Sequence, residues 1–112
     1  MKRIDAYIRP HALEPVREAL VAVGVKGLTA LEVRGFGRQR GHGEVFRGAE
    51  YENLFLPKVK LEILADDADV QRITEAIASA ARTGKVGDGK LAVIPVDDVV
   101  RIRTGESGSG AV

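Results

Sequence analysis

Residues 57–83, PKVKLEILADDADVQRITEAIASAART, hold the two clearest periodic patterns of the chain, one directly after the other. In the first part, apolar side chains alternate with charged ones, which predicts a β-strand. In the second part, apolar side chains recur at three- and four-residue steps after the N-cap candidates Asp66 and Asp67, which predicts an amphipathic helix. The apolar positions are Val59, Leu61 and Ile63 in the strand and Val70, Ile73, Ile77 and Ala80 in the helix.

The remaining segments complete a fold around this strand–helix unit. Before it, the patterns predict a strand over residues 1–9, a helix that ends near Gly24 and a second strand over residues 28–36. After it, they predict an apolar strand over residues 91–96 and a last short extended piece over residues 99–104. The resulting order βαββαβ is typical of the ferredoxin-like α+β sandwich.

Such a sandwich leaves one face of its sheet uncovered, because right-handed crossovers put both helices on the other face of a four-stranded antiparallel sheet. Two helices do not suffice to cover all the apolar groups of the strands, Tyr7, Ala30, Leu61 and Ile63 among them. The sequence does not decide which strand face turns towards the helices. A symmetric oligomer that buries sheet faces against each other is therefore predicted.

Length and composition favour one small domain in a reducing compartment. We assign residues 1–104 of the 112 to this domain, and residues 105–112, GESGSGAV, to a flexible tail. The chain has no cysteine, no apolar signal core at its start and no apolar run of the ~20 residues that cross a membrane, which predicts a cytoplasmic protein. A net charge of +1 and 4% aromatic residues argue against a nucleic-acid partner.

Residues 37–55, GRQRGHGEVFRGAEYENLF, form a long loop that connects the second and third predicted strands. Structureless connections beyond ~12–15 residues are uncommon and usually functional or disordered. Four glycines and six charged side chains lie in this one. A small domain does not need such a loop for stability, so we interpret residues 37–55 as a mobile arm that meets a partner.

Three cation-bearing elements are candidates for binding an anion. Together they are predicted to cradle a polyphosphate, since arginine supplies a fork of donors and lysine a compact charge. The two C-terminal arginines, two residues apart on the predicted extended piece, are expected to point the same way. Taken alone, these two arginines are better interpreted as an ordinary solvated strand face, and the glycine loop beside Lys90 narrows this preference without reversing it. The three elements are Arg101 with Arg103, Lys90 after Gly87-Asp88-Gly89, and Arg38 with Lys58 at the roots of the arm.

Two other classes of function find less support in the residues. No catalytic set is predicted, because the two histidines, His11 and His42, have no partner that would fix their geometry. The stretch from Arg34 to Gly37 matches the start of the RNA-binding signature of a fold with the same βαββαβ order. The further stacking aromatics are missing, and the stretch ends the second strand, whereas that signature belongs on the third. An RNA-binding module is therefore the alternative reading.

Five stretches of the chain resemble the PII nitrogen-regulatory signal-transduction proteins, in order and at the spacing of that family. The resemblance runs from residue 1 to about residue 106 and implies a non-enzymatic sensor. The stretches are GFGRQ at 35–39, RGAEY at 47–51, FLPK at 55–58, TGKVGDGK at 83–90 and RIRTGE at 101–106.

The resemblance implies a homotrimer with nucleotide sites in the clefts between subunits, where ATP and ADP compete. With ATP and Mg²⁺ bound, 2-oxoglutarate would join them: Gln39 would ligate the metal, and Lys58 would pair with a carboxylate. The implied nucleotide residues are Thr29, Gly37, Arg38, Glu62, Leu64, Gly87, Asp88, Gly89, Lys90, Arg101 and Arg103. The implied 2-oxoglutarate residues are Gln39, Arg40, Gly41 and Lys58.

The resemblance also implies that the arm docks on nitrogen-metabolism proteins, such as an ammonium transporter or a nucleotidyltransferase, so that a membrane is met only through a transporter. Arg47 would enter the pore of the transporter, and Tyr51 would be either a nucleotidylated residue or an unmodified contact. Glutamine synthetase control is among the implied outputs. The sequence departs from the family pattern at Phe46, at Leu54 before Phe55, and at Ala92, where an aromatic residue is common.

Overall fold

The structure is a computed structural model that describes residues 1–37 and 55–112. Within these residues the predicted order of strands and helices is confirmed. Short 3-10 turns at Pro10–Ala12 and Asp67–Asp69 lead into the two helices. The elements are β1 (Lys2–Ile8), α1 (Leu13–Ala22), β2 (Thr29–Gly35), β3 (Leu56–Ala65), α2 (Val70–Ala81) and β4 (Lys90–Pro95).

The four strands form one antiparallel sheet in the order β2-β3-β1-β4. Tyr7 lies opposite Lys90 and Lys2 opposite Pro95, so β4 begins at the C-terminal end of β1. On the other side of β1, Ile8 lies opposite Val59 at the start of β3. The C-terminal end of β1 therefore meets the segment before β4 and the start of β3, which is the end of the sheet where the arm begins and returns.

The core lies between the helices and one face of the sheet. Alternation in β1 and β3 supplies apolar side chains from the sheet, and each helix adds its periodic stripe. Leu61 and Ile63 point towards the helices and are at most 1% exposed, which decides the orientation of β3 that the sequence leaves open. The largest fully buried side chains are Ile4, Leu20, Leu61, Ile63, Ile77 and Val16.

The other face of the sheet carries a charged cluster, which we call the open-face cluster: Arg3, Asp5, Lys60 and Glu62. Arg3 Nε and Nη2 donate to the two oxygens of Asp5 at 2.9 and 3.1 Å, and Lys60 Nζ lies 3.0 Å from Glu62 Oε2. Asp5 is only 3% exposed although it faces away from the helices. Large apolar side chains share this face with the cluster, Tyr7, Leu31 and Leu64 among them, and they are 39–45% exposed. Ala92 pairs with Asp5 in the register, so the missing aromatic side chain leaves its space on this open face.

Residues 99–104 differ from the prediction of a short extended piece. Val100 forms one isolated antiparallel bridge with Ser107, and the chain reverses between them. Arg101 N donates to Glu106 O at 2.9 Å and Gly105 N to Arg101 O at 2.8 Å, which closes the turn. Gly105 permits this reversal with a φ of +77°. Arg101 and Arg103 are thus not alternate residues of a strand, and the prediction that they point the same way for that reason is wrong.

Residues 105–112, the predicted flexible tail, are not an extended chain without contacts. They end in a 3-10 turn at Gly108–Ala111. Gly108 N donates to Val99 O at 3.0 Å and to Asp98 Oδ1 at 3.1 Å. Arg101 Nη2 also donates to Gly110 O at 3.3 Å. The tail therefore folds back on the turn that precedes it, and its flexibility stays a prediction.

Candidate functional site

The loop between α2 and β4 folds around the carboxylate of Asp88. Asp88 Oδ2 accepts hydrogen bonds from the backbone N–H groups of Thr83 and Gly84, each at 2.8 Å. Asp88 Oδ1 accepts from Thr83 Oγ1 at 2.5 Å. These bonds favour the charged form, Thr83 contributing most, and they lower the pKa of Asp88 to about 2. The loop is consequently organised around a carboxylate that stays ionised at any physiological pH.

Two cations at the neighbouring strand ends contact this loop. Arg9, directly after β1, donates to Asp88 Oδ1 at 3.1 Å and to the carbonyl oxygen of Val86 at 2.6 Å. Lys58, near the start of β3, donates through Nζ to Gly87 O at 3.2 Å. Burial lowers the pKa of Lys58, and the positive charge of Arg9 adds to this, while Asp88 opposes it. The predicted 2-oxoglutarate residue Lys58 and the predicted phosphate loop therefore lie side by side.

Gly89 brings the end of the loop into direct contact with β1. A Cβ atom on Gly89 would lie 1.8 Å from the carbonyl oxygen of Tyr7, and its φ is +107°. Lys90 follows immediately and opens β4. The amides of Gly87 and Gly89 have no acceptor within residues 1–37 and 55–112. One end of the sheet thus presents a lysine beside two backbone donors, the combination that binds anions in glycine-rich loops.

The three residues predicted to border the adenine lie together on the open face. Thr29 is the cross-strand partner of Glu62, and Leu64 follows two residues later on the same side of β3. Leu64 is 45% exposed, and Glu62 belongs to the open-face cluster through Lys60. These residues form a shallow, partly apolar patch next to the charged cluster. Its mixed character suits a flat heterocycle with polar edges.

Arg101 and Arg103 lie beyond the opposite end of the sheet from Lys90. β4 runs from Lys90 to Pro95, roughly 17 Å at about 3.4 Å per residue, and Val96 N then donates to Met1 O at 3.2 Å. Within the described parts of the chain, residues 97–112 make hydrogen bonds only among themselves. The predicted single cradle is therefore divided: one chain does not bring Arg101 and Arg103 to the loop that precedes Lys90.

Arg101 is also engaged in its own turn. Its Nη1 lies 2.6 Å from Glu106 Oε1, which further accepts from Thr104 Oγ1 at 3.1 Å. Between these residues, Ile102 is 98% exposed. An exposed isoleucine flanked by two arginines projects from the C-terminal turn. Such a surface is complementary to an apolar and anionic neighbour.

Several predicted site residues lie outside the described residues, so the roles predicted for them are not tested by the structure. Gly37 is described, and it lies directly after Phe36, which contacts Phe55 edge-on with ring centroids 5.2 Å apart. The two roots of the arm therefore meet. Phe36, which belongs to the start of the RNA-binding signature, packs on Phe55 next to an edge strand. The predicted site residues outside the described ranges are Arg38, Gln39, Arg40, Gly41, Arg47 and Tyr51.

The sequence reasoning missed Arg9 and the hydroxyl of Thr83. Arg9 ends a strand pattern next to Pro10, and nothing in the periodicity distinguishes it from other charged strand residues. The contact of Thr83 could have been predicted from the sequence. A hydroxyl and a carboxylate five residues apart, with glycines between them, can form a hydrogen bond across the loop. Only the register of β1 against β4 brings Arg9 to that loop.

No helix in the described ranges has both the length and the apolar character to cross a membrane. Within the same ranges, no three or more histidine, aspartate or glutamate side chains converge in a way that would hold a metal ion.

Comparison with known proteins gives a consistent result. The family model described as nitrogen regulatory protein P-II matches residues 1–106. The nitrogen regulatory protein P-II of Azospirillum brasilense is 57% identical and that of Pasteurella multocida 55%, each over all 112 residues of both chains. The crystal structure of Arabidopsis thaliana PII bound to citrate is 39% identical, covers 99% of this chain and 91% of its own, and superposes with a TM-score of 0.83. The chain therefore belongs to the nitrogen regulatory protein P-II family.

Proposed function

We propose that this P-II protein binds ATP and ADP at sites formed between copies of the chain, and 2-oxoglutarate together with ATP, and that these ligands control which targets the arm contacts. Its family consists of signal-transduction regulators and not of enzymes. The ligands, the trimeric assembly and the targets of the arm go beyond this family membership and belong to the proposal. The division of the predicted phosphate-binding cations between opposite ends of the sheet carries the proposal.

The predicted phosphate-binding groups lie in two sets at opposite ends of the sheet, and this supports an intersubunit site. Neither set by itself supplies enough cations and donors to bind a nucleoside triphosphate. The loop end supplies Lys90 and the amides of Gly87 and Gly89, and the far end supplies Arg101 and Arg103. A triphosphate carries several negative charges and is usually bound by several cations and backbone donors at once. If the C-terminal turn of one copy lies against the loop of the next, both sets contact the same phosphates. The same packing covers the open face, where large apolar side chains are otherwise exposed.

Lys58 supports a carboxylate ligand beside the phosphates. Its partly buried ammonium is held in place at Gly87 O, and burial together with Arg9 lowers its pKa. A carboxylate near Lys58 would offset the repulsion between the charges of Lys58 and Arg9. Binding of a carboxylate is therefore favoured more at Lys58 than at a fully exposed lysine. The Arabidopsis relative was solved with citrate, a polycarboxylate, and this favours a carboxylate ligand for the family.

Mg²⁺ enters the proposal only as the ion that accompanies ATP. Mg²⁺ in nucleotide sites is usually held by substrate phosphates with one or two protein oxygens. Within the described residues no three or more acidic or histidine side chains converge, and the predicted ligand Gln39 lies outside these residues. A single amide oxygen beside phosphates fits an ion that is bound mainly by the nucleotide.

The arm connects ligand binding to output. Its two roots meet through Phe36 and Phe55, and Lys58 and Gly37 lie within three residues of them. Ligands at the roots shift the arm only if they bind its conformers with different affinities. ATP with 2-oxoglutarate is proposed to favour one set of arm conformers and ADP another. Docking through the arm, and modification of its tyrosine, would then depend on the bound ligand, with an ammonium transporter or a nucleotidyltransferase as partner.

A subunit-mixing experiment tests the intersubunit site. Lys90→Ala and Arg103→Ala are each expected to weaken ATP binding by at least tenfold, since a hydrogen bond to a charged group contributes about 1.5–3 kcal/mol. When the two variants are unfolded together and refolded as mixed oligomers, some clefts combine an intact Lys90 with an intact Arg103. Calorimetry should then recover a minority of sites with wild-type affinity.

The control is each variant refolded alone, which should recover no such sites. A mixture that binds no better than the separate variants would show that both residues act within one chain, and the proposed site would be wrong. An unaltered ATP affinity in both single variants would remove Lys90 and Arg103 from the site altogether. A wild-type protein that ignores ATP and ADP would overturn the proposed function itself.

A further inference from the structure

We propose that Arg9 is a positioning residue for the nucleotide site: its guanidinium fixes the Val86–Gly87 peptide so that the Gly87 amide is presented to a phosphate. This inference rests on the proposed nucleotide binding. Arg9 was not among the site residues predicted from the sequence. It is assigned a role in the site because of its contacts with the loop before β4.

The guanidinium of Arg9 contacts three residues of the loop. Arg9 Nη2 donates to Val86 O at 2.6 Å, and Nη1 donates to Asp88 Oδ1 at 3.1 Å and to Thr83 Oγ1 at 3.4 Å. The side chain of Arg9 is 18% exposed, and that of Asp88 is 23% exposed. Asp88 is itself fixed by the amides at the start of the loop. Arg9 thus joins the first turn of the loop to its middle.

The contact with Val86 O determines where the next amide points. A trans peptide is planar, and its C=O and N–H groups point in opposite directions. Because the carbonyl oxygen of Val86 is directed at Arg9, the N–H of Gly87 is directed away from Arg9, and it has no acceptor among the described residues. Gly87 has a φ of +106°, a region in which a glycine peptide rotates easily. Hydrogen bonds from Asp88 N to Lys85 O and from Lys58 Nζ to Gly87 O hold the adjoining peptides, but among the described residues only Arg9 bonds to the Val86–Gly87 peptide itself.

The chemistry of arginine suits this role better than that of lysine. A guanidinium offers two terminal nitrogens in a rigid plane, so that one binds Val86 O while the other binds Asp88. An ammonium is a point charge on a flexible stem and does not span both acceptors in fixed geometry. Lys58 donates to the next carbonyl oxygen, that of Gly87. The two cations therefore hold consecutive carbonyl groups, and the arginine also donates to the carboxylate.

Fixed amides bind an anion better than mobile ones, because the cost of orienting them is met during folding and not on binding. Arg9 therefore acts on nucleotide affinity through the loop and not through its own charge. This separates two variants. Arg9→Gln removes both the charge and the fork, whereas Arg9→Lys keeps the charge and loses the fork. Positioning predicts that both weaken binding, while simple attraction between charges predicts that only Arg9→Gln does.

The test measures ATP and ADP binding by calorimetry for wild type, Arg9→Lys and Arg9→Gln, with Arg17→Gln as the matched control. Arg17 is a half-exposed helix residue that pairs with Glu14, away from the loop. Both Arg9 variants are expected to bind each nucleotide roughly tenfold more weakly, about the loss of one well-oriented hydrogen bond to a charged group. Arg17→Gln should bind like wild type.

A second readout is the ¹H–¹⁵N spectrum of the nucleotide-free proteins. The Gly87 amide signal should shift in both Arg9 variants, because the Val86–Gly87 peptide loses the contact that orients it, while the Gly24 signal serves as a reference. Wild-type affinity in Arg9→Lys, or an unchanged Gly87 signal in it, would overturn the positioning role. Should Arg9→Gln fail to fold, Arg9→Lys alone decides the outcome. A wild-type protein without nucleotide affinity would instead refute the proposed function, which keeps the two failures distinct.

Discussion

Substitution of Gly89 should damage this protein severely, because a side chain at this position meets two independent obstacles. An alanine there would place its Cβ 1.8 Å from Tyr7 O and 2.9 Å from Tyr7 C. Both atoms belong to the backbone of β1, the strand between β3 and β4, so neither moves without disturbing the sheet. Gly89 also has a φ of +107°, a conformation that other residues rarely adopt.

The free energy of unfolding of Gly89→Ala is expected to fall by the sum of these two effects. A non-glycine residue in a sparsely populated backbone region costs about 1–3 kcal/mol. Overpacking against groups that do not yield costs about another 1–3 kcal/mol. The total of roughly 2–6 kcal/mol is a large share of the ~5–15 kcal/mol that stabilises a typical domain. Nucleotide binding should fall as well, since the Gly89 amide and Lys90 move with the displaced strand.

Two glycine variants separate the contributions. Gly84 has a φ of +88°, and no other group of residues 1–37 and 55–112 lies within 4 Å of the position that its Cβ would take. Gly84→Ala should therefore lose only the conformational part of the stability, about 1–3 kcal/mol. Gly27 has open space and no positive φ, so Gly27→Ala should range from neutral to about 1 kcal/mol more stable. Denaturant unfolding measures the free energy of unfolding of all three variants. The protein concentration is kept the same throughout, because the apparent stability of an associating protein depends on its concentration.

The order of stability should be Gly27→Ala, then Gly84→Ala, then Gly89→Ala. If the free energy of unfolding of Gly89→Ala lies within about 1 kcal/mol of that of Gly84→Ala, the close approach to Tyr7 has no energetic consequence of the expected size and the reasoning is refuted.

Two further predictions concern the residues around the same loop. Lys58→Ala should abolish 2-oxoglutarate binding in calorimetry and leave ADP binding largely intact; loss of both ligands would mean that the contact of Lys58 with Gly87 O holds the nucleotide loop. The folded pKa of Asp88, about 2, lies below its ordinary value of 3.8, so its stabilising effect is present above pH 3.8 and is lost as the pH falls towards 2. Acid titration of unfolding should therefore show wild type losing more stability than Asp88→Asn across that interval, and equal losses would contradict the role of this carboxylate.

The strands and helices could be predicted because their signals are local. The alternation in Val59, Leu61 and Ile63, and the helical stripe that follows, each follow from the period of a single element. The element order then leaves few topologies, since crossovers are right-handed. The sheet and its helices therefore agree with the prediction, with small shifts at the strand ends.

The candidate site was predicted only in its parts. The residues at Lys90 and at Arg101 were identified, but they were expected to meet in one cradle, and the register of β4 separates them within a chain. The segment of residues 99–104 was predicted to be a short extended piece, and its two arginines were therefore expected to point the same way. Its reversal depends on hydrogen bonds from Arg101 to Glu106 across the turn, which no periodicity encodes.

The sequence by itself determined the elements of this protein, their order, the glycine loop before Lys90 and the family resemblance, because each depends on residues close together in the chain. Only the tertiary structure decided which face of β3 is buried, which end of the sheet receives the loop and that Arg9 holds it. These depend on strand register, which is set by packing between segments far apart in the chain, as in the contact of Arg9 with Asp88, 79 residues away. A single strand contains no information about its partner beyond the pattern of its own two faces.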